Sequence, residues 1–416
     1  MLNKVLLITI VSISSSLFSA LKASEKIETI NILMPAPFAD STKGLIKKFN
    51  DIKKGEVKVR VTRGPRETES VSDLAISSLI LNKSPYDIIL IDVTWLPKYA
   101  AAGWLEPFQN SFINRSWGLL AKGAQIGNKY KGKIYRWPLV ADMGLLYWRK
   151  DLMKQAPTSP KELIDISLDL KTKKLVEYGF VWQGKQYEGL SCFFIEILEG
   201  FGGEWIGKNS EISLHKNNSI EAVMWMNELI KSGASPKAVT TFTETESLQV
   251  FESGKAAFMR NWPYAWAELQ KSNLRDKVGV TTMVATKHGK STSTQGSWGF
   301  SVIRGSKRKN QSFQLIEYLT SADSQKELFI NYGYTPTMKS VLNNKELINS
   351  YPIIQTLNEA LDKSITRPVV PYYAQLSDIL QRSLSTVLTK ETNIKSTMKE
   401  ATRKMNNVIS SYGYKE

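Results

Sequence analysis

The stretch between residues 27 and 102 alternates short apolar runs with amphipathic segments, and this order limits the folds open to the chain. The expected elements alternate in type: strands at 27–34, 57–62 and 87–91, and helices at 41–52, 67–81 and 95–102. The third run is apolar at almost every position, which is typical of a strand buried on both faces. Such a β-α-β-α-β order predicts a parallel sheet with helices on both faces, and therefore the α/β class.

The rest of the chain continues with mixed elements and shows no fixed-period repeat. Further strands are expected at 143–148, 279–284 and 298–303, and further helices at 219–232, 245–252, 263–271, 312–320, 324–331 and within 376–409. A length of 416 residues with 42% apolar content is too long for one ordinary domain and sufficient for two cores.

The first residues have the pattern of a secretory signal peptide. Lys4 supplies the positive charge, residues 5–17 form a short apolar run diluted by serines, and Ala20 or Ala23 offers a cleavage position. A membrane anchor is the alternative, but the run is too short to span a bilayer comfortably. We therefore expect residues 1–23 to be removed, and no cysteine follows them to accept a lipid anchor. The expected location is the periplasm.

Charge and reactive side chains exclude several classes of function. The formal net charge is +16, but the basic residues are scattered, with no zinc-ligand spacing and no recognition-helix pattern, so we expect no nucleic-acid partner. The single cysteine, Cys192, cannot form an intrachain disulfide, and its apolar neighbours predict a buried position. His215 and His288 lie in polar surroundings and favour neither a metal site nor a catalytic triad. No cofactor and no metal are expected.

Three polar residues lie just past the expected strands of the first sheet: Asp40, Arg63 and Asp92. Ligands of open α/β sheets bind beyond the carboxyl ends of the strands, so these residues are candidates for a binding site. Two of them have structural alternatives, because Asp40 could cap the helix at 41–52 and Arg63 could be a solvated loop residue.

Three distant segments crowd aromatic rings beside groups that make many hydrogen bonds: residues 179–190, 260–266 and 367–377. Sugars need this combination, because their C–H faces stack on rings while their hydroxyl groups need fixed donors and acceptors. Because the three segments lie far apart in sequence, no single helix, strand or turn explains why they share this composition. The sequence therefore predicts a carbohydrate site.

With these segments and with Leu90–Trp95 and Asp142–Leu152, the chain resembles the extracytoplasmic solute-binding proteins of ABC sugar importers. It looks most like the trehalose/maltose-binding branch, over essentially the whole mature chain. The resemblance implies a two-lobed periplasmic-binding-protein-like fold (type II), with three hinge crossovers and a ligand cleft between the lobes. By similarity the N-terminal lobe holds 24–138 and 299–336, and the C-terminal lobe holds 139–298 and 337–416.

The resemblance also implies ligand-binding roles for eight residues: the carboxylates Asp40, Asp92 and Asp142, the guanidinium groups Arg63 and Arg367, and the rings Trp262, Tyr264 and Trp298. Two positions depart from the branch, since Val140 stands where it tends to have an aromatic residue and Ser297 where it tends to have glycine. Structural alternatives exist here too: Asp142 could pair with Arg149, and Trp262 could simply pack the start of a helix.

The implied function is capture of a small neutral glucoside and its delivery to the transmembrane subunits of an ABC permease, with no bond broken and with the protein acting as a monomer. Trehalose, maltose, sucrose and a glucosylglycerol-like osmolyte are all candidates. An exported glycosidase is the main alternative, since it would also use paired carboxylates, but no pattern of eight βα units is present. A binder of anions or metal would give Arg63 and Arg367 other roles.

Overall fold

The computed structural model describes residues 27–80, 84–207 and 211–413. The predicted signal peptide at 1–23 lies outside these residues. Within the described ranges, no helix combines the length and the apolar character needed to cross a membrane.

Strands and helices alternate through the first part of the chain, and helices dominate the last part. The strands are β1 Glu28–Met34, β2 Val57–Arg63, β3 Ile88–Asp92, β4 Leu105–Glu106, β5 Lys129–Tyr130, β6 Lys133–Ile134, β7 Trp137–Val140, β8 Leu145–Arg149, β9 Tyr178–Val181, β10 Ala256–Asn261, β11 Val278–Thr281, β12 Ser293–Thr294, β13 Trp298–Ile303 and β14 Ser364–Ile365. The α-helices up to the middle of the chain are α1 Ala36–Ser41, α2 Lys43–Ile52, α3 Thr68–Ile80, α4 Leu96–Ala101, α5 Asn110–Ser116, α6 Lys122–Gln125, α7 Pro160–Thr172, α8 Glu188–Gly200 and α9 Asn217–Lys231. The remaining ones are α10 Glu244–Glu252, α11 Tyr264–Leu269, α12 Lys309–Leu319, α13 Ala322–Tyr332, α14 Lys339–Leu342, α15 Lys345–Ser350, α16 Ile353–Asp362, α17 Tyr373–Thr389 and α18 Ile394–Gly413.

The first sheet has the strand order β2-β1-β3-β13-β4, with β7 paired to β13. Strands β1, β2 and β3 are parallel, as their alternation with helices predicts. Strand β13 comes from much later in the chain and runs antiparallel to β3. All five side chains of β3 are buried, because helices cover both faces of the sheet at this strand.

The second sheet has the order β11-β8-β10-β9 and a separate core. Within this core, Trp182 is fully buried and stacks on Phe193 with 4.6 Å between ring centroids. Its indole Nε1–H donates to the Ser235 hydroxyl at 3.0 Å. The aromatic content of the segment at 179–190 therefore serves packing at Trp182. Cys192 is also buried here, as expected.

The two sheets define two α/β lobes, and the expected fold class is confirmed. The chain passes from the first sheet to the second between β7 and β8, and returns between β11 and β13. Helix α13 ends at Gly333, which takes the left-handed conformation with φ 72° close to the third predicted crossing. The lobe boundaries expected at 138, 298 and 336 lie near these crossings and stay a prediction.

The helix predicted at 41–52 begins at Lys43 and is preceded by a short helix that was not predicted. A short helix, α1, begins directly after Pro35, because Pro37 is tolerated in a first helical turn. Asp40 therefore lies inside α1, and Thr42 precedes α2 with no side-chain capping bond. The capping alternative for Asp40 is wrong.

Replacing Trp182 by alanine is expected to lower the free energy of unfolding by about 3–5 kcal/mol, because it leaves a cavity and an unpaired hydroxyl. The control is Met224→Ala on α9 in the same lobe, where the side chain is 52% exposed. We expect that change to stay within about 0.5 kcal/mol. Urea unfolding without sugar measures both, and equal losses would contradict a structural role for Trp182.

Candidate functional site

The carboxyl ends of β1, β2 and β3 and the amino end of β13 meet at one edge of the first sheet. Arg63 pairs with Met34 in the register of β1 and β2, and Asp92 pairs with Trp298 in the register of β3 and β13. Two predicted site residues, Asp92 and Trp298, are therefore neighbours although they lie far apart in sequence.

A buried chain of charges starts at Asp92 and crosses to the second lobe. Arg367 Nη2 donates to both carboxylate oxygens of Asp92 at 3.0 and 3.1 Å, and Arg367 Nη1 donates to Glu188 Oε1 at 2.7 Å. Asp92 also accepts hydrogen bonds from the backbone N–H and the hydroxyl of Thr94, at 2.9 and 2.7 Å. Asp92 is 3% exposed and Arg367 is 2% exposed, so these contacts are shielded from water.

On the second-lobe side, Glu188 is the residue to which most of these hydrogen bonds converge. It is the first residue of α8, and its carboxylate accepts hydrogen bonds from the hydroxyl groups of Tyr373 and Ser377. Its backbone N–H donates across the cleft to Glu69 Oε1 at 3.2 Å. A carboxylate of the first lobe thus lies at the N-terminus of a second-lobe helix, where negative charge is favoured.

The pKa shifts follow from burial and from these neighbours. Burial lowers the pKa of Arg367, but the charges of Asp92 and Glu188 outweigh this effect and hold it well above its ordinary value. Burial raises the pKa of Glu69, and the charges of Glu188 and Asp92 raise it further. Arg367 therefore stays a cation, while the pKa of Glu69 lies above that of an isolated glutamate.

Asp142 lies at the first crossover between the lobes. Its Oδ1 accepts the backbone N–H of Thr335 at 2.8 Å, and its backbone carbonyl accepts the N–H of Gly296, also at 2.8 Å. Asp142 thus ties together the three segments that connect the lobes. Burial raises its pKa to about 7, so near neutral pH the carboxyl group can donate or accept a hydrogen bond. Its alternative partner, Arg149, binds Asp151 instead.

Aromatic rings of the first lobe surround the Asp92 end of the site. The ring of Trp298 lies 5.3 Å from that of Trp95 in an edge-to-face arrangement and 5.4 Å from that of Phe38. Phe38 in turn stacks on Tyr334 at 5.2 Å. Trp298 remains partly exposed, so part of its ring is available to a ligand.

Trp262 supplies the corresponding ring of the second lobe. The guanidinium carbon of Arg260 lies 4.0 Å from the centroid of this ring, and the indole Nε1–H donates to Glu244 Oε1 at 3.0 Å. Arg260 is itself fixed by a fully buried ion pair with Glu196. The cation–π contact and the hydrogen bond therefore hold one orientation of a partly exposed indole.

Tyr264 packs against the cores of both lobes. Burial raises the pKa of its hydroxyl group, and the charge of Glu244 raises it further. Tyr264 is therefore a neutral hydrogen-bonding group at the junction of the lobes.

The structure brings Asp40 and Arg63 together as an ion pair, which is separate from the other predicted site residues. Arg63 Nε and Nη2 donate to the two Asp40 oxygens at 2.8 and 2.9 Å, and both side chains are more than half exposed. The hydrogen bond from Arg63 lowers the pKa of Asp40. No hydrogen bond within the described part of the chain links this pair to the Asp92 bridge, and a ligand role for it stays a prediction.

Sequence reasoning missed three acidic residues of this region: Glu69, Glu188 and Glu244. Glu188 lies inside the segment at 179–190, beside the tyrosine and glycine that drew attention to it, so a signal was present. Glu69 and Glu244 begin helices and carry no pattern that separates them from ordinary acidic residues in a first turn. Among the described residues, no group of three potential ligands could hold a metal ion, and both histidines are exposed.

The chain belongs to the family of bacterial extracellular solute-binding proteins, whose model matches residues 35–326. A probable ABC transporter-binding protein of Deinococcus radiodurans is 29% identical over 351 residues, covering 80% of this chain and 82% of that protein. A maltotriose-binding protein of Pyrococcus abyssi is 24% identical, covering 73% and 65% respectively. Among solved structures, maltose-bound MalE3 of T. maritima superposes with a TM-score of 0.86 at 28% identity, covering 91% of this chain and 99% of that one. These relatives are binding proteins, and the prediction that the chain is not an enzyme is confirmed.

Replacing Asp142 by asparagine is expected to remove a pH-dependent cost to stability in the sugar-free protein. The pKa of Asp142 rises from 3.8 to about 7 on folding, so the folded state keeps a proton that the unfolded state releases. The cost is absent below about pH 4 and grows up to about pH 7, with a slope of up to about 1.4 kcal/mol per pH unit. Urea unfolding of both proteins across this range should show the variant gaining relative stability as the pH rises.

The control is Asp151→Asn, because the hydrogen bond from Arg149 lowers the pKa of Asp151 and gives its contribution the opposite sign. Ionised Asp151 stabilises the fold, and this contribution disappears in acid. A stability difference between wild type and Asp142→Asn that stays constant with pH would show that the carboxyl group has an ordinary pKa.

Proposed function

We propose that the protein binds a small neutral glucoside between its lobes and delivers it to the permease of an ABC importer. The relatives support this proposal, because one binds maltotriose by its name and the solved structure reported above contains maltose. A periplasmic location for the mature chain fits the extracellular family. Capture and release require no bond to be broken, so a monomer with one cleft is sufficient.

The observation that carries the proposal is the buried guanidinium of Arg367 between Asp92 and Glu188. Its Nε–H is buried and has no acceptor among the described residues, although the other nitrogens of the group are bonded. A buried donor without a partner costs free energy, and a sugar hydroxyl group would satisfy it. The carboxylate oxygens of Asp92 add acceptors for adjacent hydroxyl groups.

The rings of Trp262 and Trp298 support a carbohydrate rather than an anion. Trp298 begins a strand of the first sheet and Trp262 directly follows a strand of the second, and each residue is partly exposed while its orientation is fixed by neighbours. Sugar rings present C–H faces that suit such contacts, whereas a small anion gains little from them. We propose that Asp142 and Tyr264 line the same cleft, and that the pair of Asp40 and Arg63 lies at its mouth.

We propose that ligand binding closes the lobes as a hinge, dividing the chain at 24–138 with 299–336 and at 139–298 with 337–416. Contacts from both lobes support this mechanism, since Glu188 of one lobe bonds to Glu69 of the other and shares Arg367 with Asp92. A ligand that touches both lobes has a higher affinity for the closed state, and only such a difference shifts the equilibrium.

The choice among trehalose, maltose, sucrose and a glucosylglycerol-like osmolyte depends on the region around Val140 and Ser297. Val140 is buried in the core of the first sheet, where it pairs with Trp298. An aliphatic side chain in place of a ring at this position would leave room for a different second moiety beside the first glucose ring. We propose a disaccharide or a glucosyl polyol on this ground.

Calorimetry of the purified protein against these four compounds tests the proposed function, and we expect at least one to bind. Arg367→Lys keeps the charge but loses the planar fork, so its affinity should fall by about tenfold or more. The matched control is Arg382→Lys on α17, where the arginine makes an exposed pair with Asp378. Absence of binding by the wild type, or sustained hydrolysis of a disaccharide, would refute the proposal.

Replacing Trp262 by alanine should weaken binding of that sugar by about 1–3 kcal/mol, the contribution of burying one large side chain. The control is Trp266→Ala, because the ring of Trp266 stacks on Phe329 and meets Tyr351 edge to face, and neither residue belongs to the proposed site. We expect Trp266→Ala to change the melting temperature but to leave the dissociation constant within about twofold, well under 1 kcal/mol. An unchanged dissociation constant for Trp262→Ala would remove its ring from the site.

A further inference from the structure

Arg136 is a fully buried cation that plays no part in the site described above. It lies directly before β7, and its guanidinium group donates to three neutral acceptors. Nε donates to the backbone carbonyl of Ile91 at 3.3 Å, Nη1 to the side-chain carbonyl of Asn128, and Nη2 to the hydroxyl of Ser297 at 2.9 Å. No carboxylate lies within ion-pair distance among the residues that the structure describes.

Two of these acceptors immediately precede residues of the proposed sugar site. Ile91 precedes Asp92 on β3, and Ser297 precedes Trp298 at the start of β13. The Ser297 hydroxyl also donates to the carbonyl of Val140 at 2.7 Å, at the end of β7. The guanidinium group therefore connects the ends of three strands at the point where two of the lobe crossovers begin.

The backbone makes room for this side chain. The pairing of β13 with β7 shifts register between Trp298 and Gly299. A Cβ atom on Gly299 would lie only 2.8 Å from the Cγ atom of Arg136. A bulge and a glycine thus accommodate the arginine beneath the cleft.

Burying an arginine without a carboxylate partner costs free energy, and hydrogen bonds to neutral acceptors offset this cost only in part. Burial lowers the pKa of Arg136 to about 9, while the charge of Asp92 acts against this effect. The group therefore remains a cation at neutral pH in a dry environment, where an apolar side chain of similar volume would cost less. What the guanidinium adds is a fixed geometry between strands that carry the site.

We propose that Arg136 is a positioning residue for the sugar site: it fixes the spacing of Asp92 and Trp298 and couples both to the second lobe crossover through Ser297. This inference rests on the proposed function. The three planar donors define distances that a flexible ammonium group cannot reproduce. Arg136 thereby holds the first-lobe half of the site in its binding geometry, whether or not a sugar is present.

The test measures dissociation constants of Arg136→Met, Arg136→Lys and Ser297→Ala for the sugar that the wild type binds. We expect at least a tenfold loss for the methionine variant and a loss of three- to tenfold for Ser297→Ala. The lysine variant should stay at least fivefold weaker than wild type, because it keeps the charge without the fork. All measurements are made well below each melting temperature, so that loss of folded protein does not contribute.

The matched control is Arg149→Met, which removes another buried arginine that bonds to Asp151 and the Gly254 carbonyl, away from the site. It should lower the melting temperature and leave the dissociation constant within twofold. In a double-mutant cycle, Ser297→Ala should add little to the loss already caused by Arg136→Lys, because the hydroxyl acts through the guanidinium.

Wild-type affinity for either Arg136→Lys or Ser297→Ala would overturn the inference, the former by showing that charge alone is sufficient. If Arg136→Met does not fold, the affinities of Arg136→Lys and Ser297→Ala still test the positioning role of Arg136. If the wild type binds none of the sugars, the proposed function fails instead, so the two failures are distinguishable.

Discussion

The arrangement of the lobes depends most on the guanidinium group of Arg367, which forms ion pairs with a carboxylate from each of them. Asp92 is buried and Glu188 is largely so, and burying a carboxylate such as Asp92 without a partner would cost several kcal/mol. The segment that carries Arg367 leads directly into α17, which packs on the second lobe. The bridge therefore requires the carboxyl end of β3 and the amino end of α8 to face each other, and the cleft follows from this requirement.

Much of the fold could be predicted from the sequence, because local hydrophobic patterns determine the elements in the first part of the chain. The apolar run that forms β3 and the alternation in β2 fixed strands to within a residue or two, and the order of elements required β1, β2 and β3 to be parallel. The place of β13 could not be predicted in this way. It reaches β3 from about two hundred residues later and runs antiparallel, so no local pattern records the pairing.

The proposed site likewise combines residues that the local sequence marks with residues that only distant contacts identify. Asp92 was predictable because it ends a buried strand beyond which ligands bind, and Arg367 because of the resemblance of its segment. Arg136 was not, since its partners lie far away in sequence and its own neighbourhood reads as an ordinary strand. Glu188 lies in the segment at 179–190 that the sequence marks, but its pairing with the distant Arg367 could not be predicted. Conversely, Trp182 stood out in the sequence for its aromatic context, but its ring is part of the core.

Asp92 lies between two guanidinium groups that differ in how they are attached. Arg136 belongs to the same lobe and bonds to the residue before Asp92, whereas Arg367 arrives with the segment that joins the other lobe. If hinge opening withdraws Arg367, the field of Arg136 remains, so Asp92 is never an uncompensated charge in a dry pocket. The fixed cation thus lowers the cost of the open state, in which Asp92 has lost Arg367, and the bridge between Asp92 and Arg367 forms again when the lobes close on a sugar.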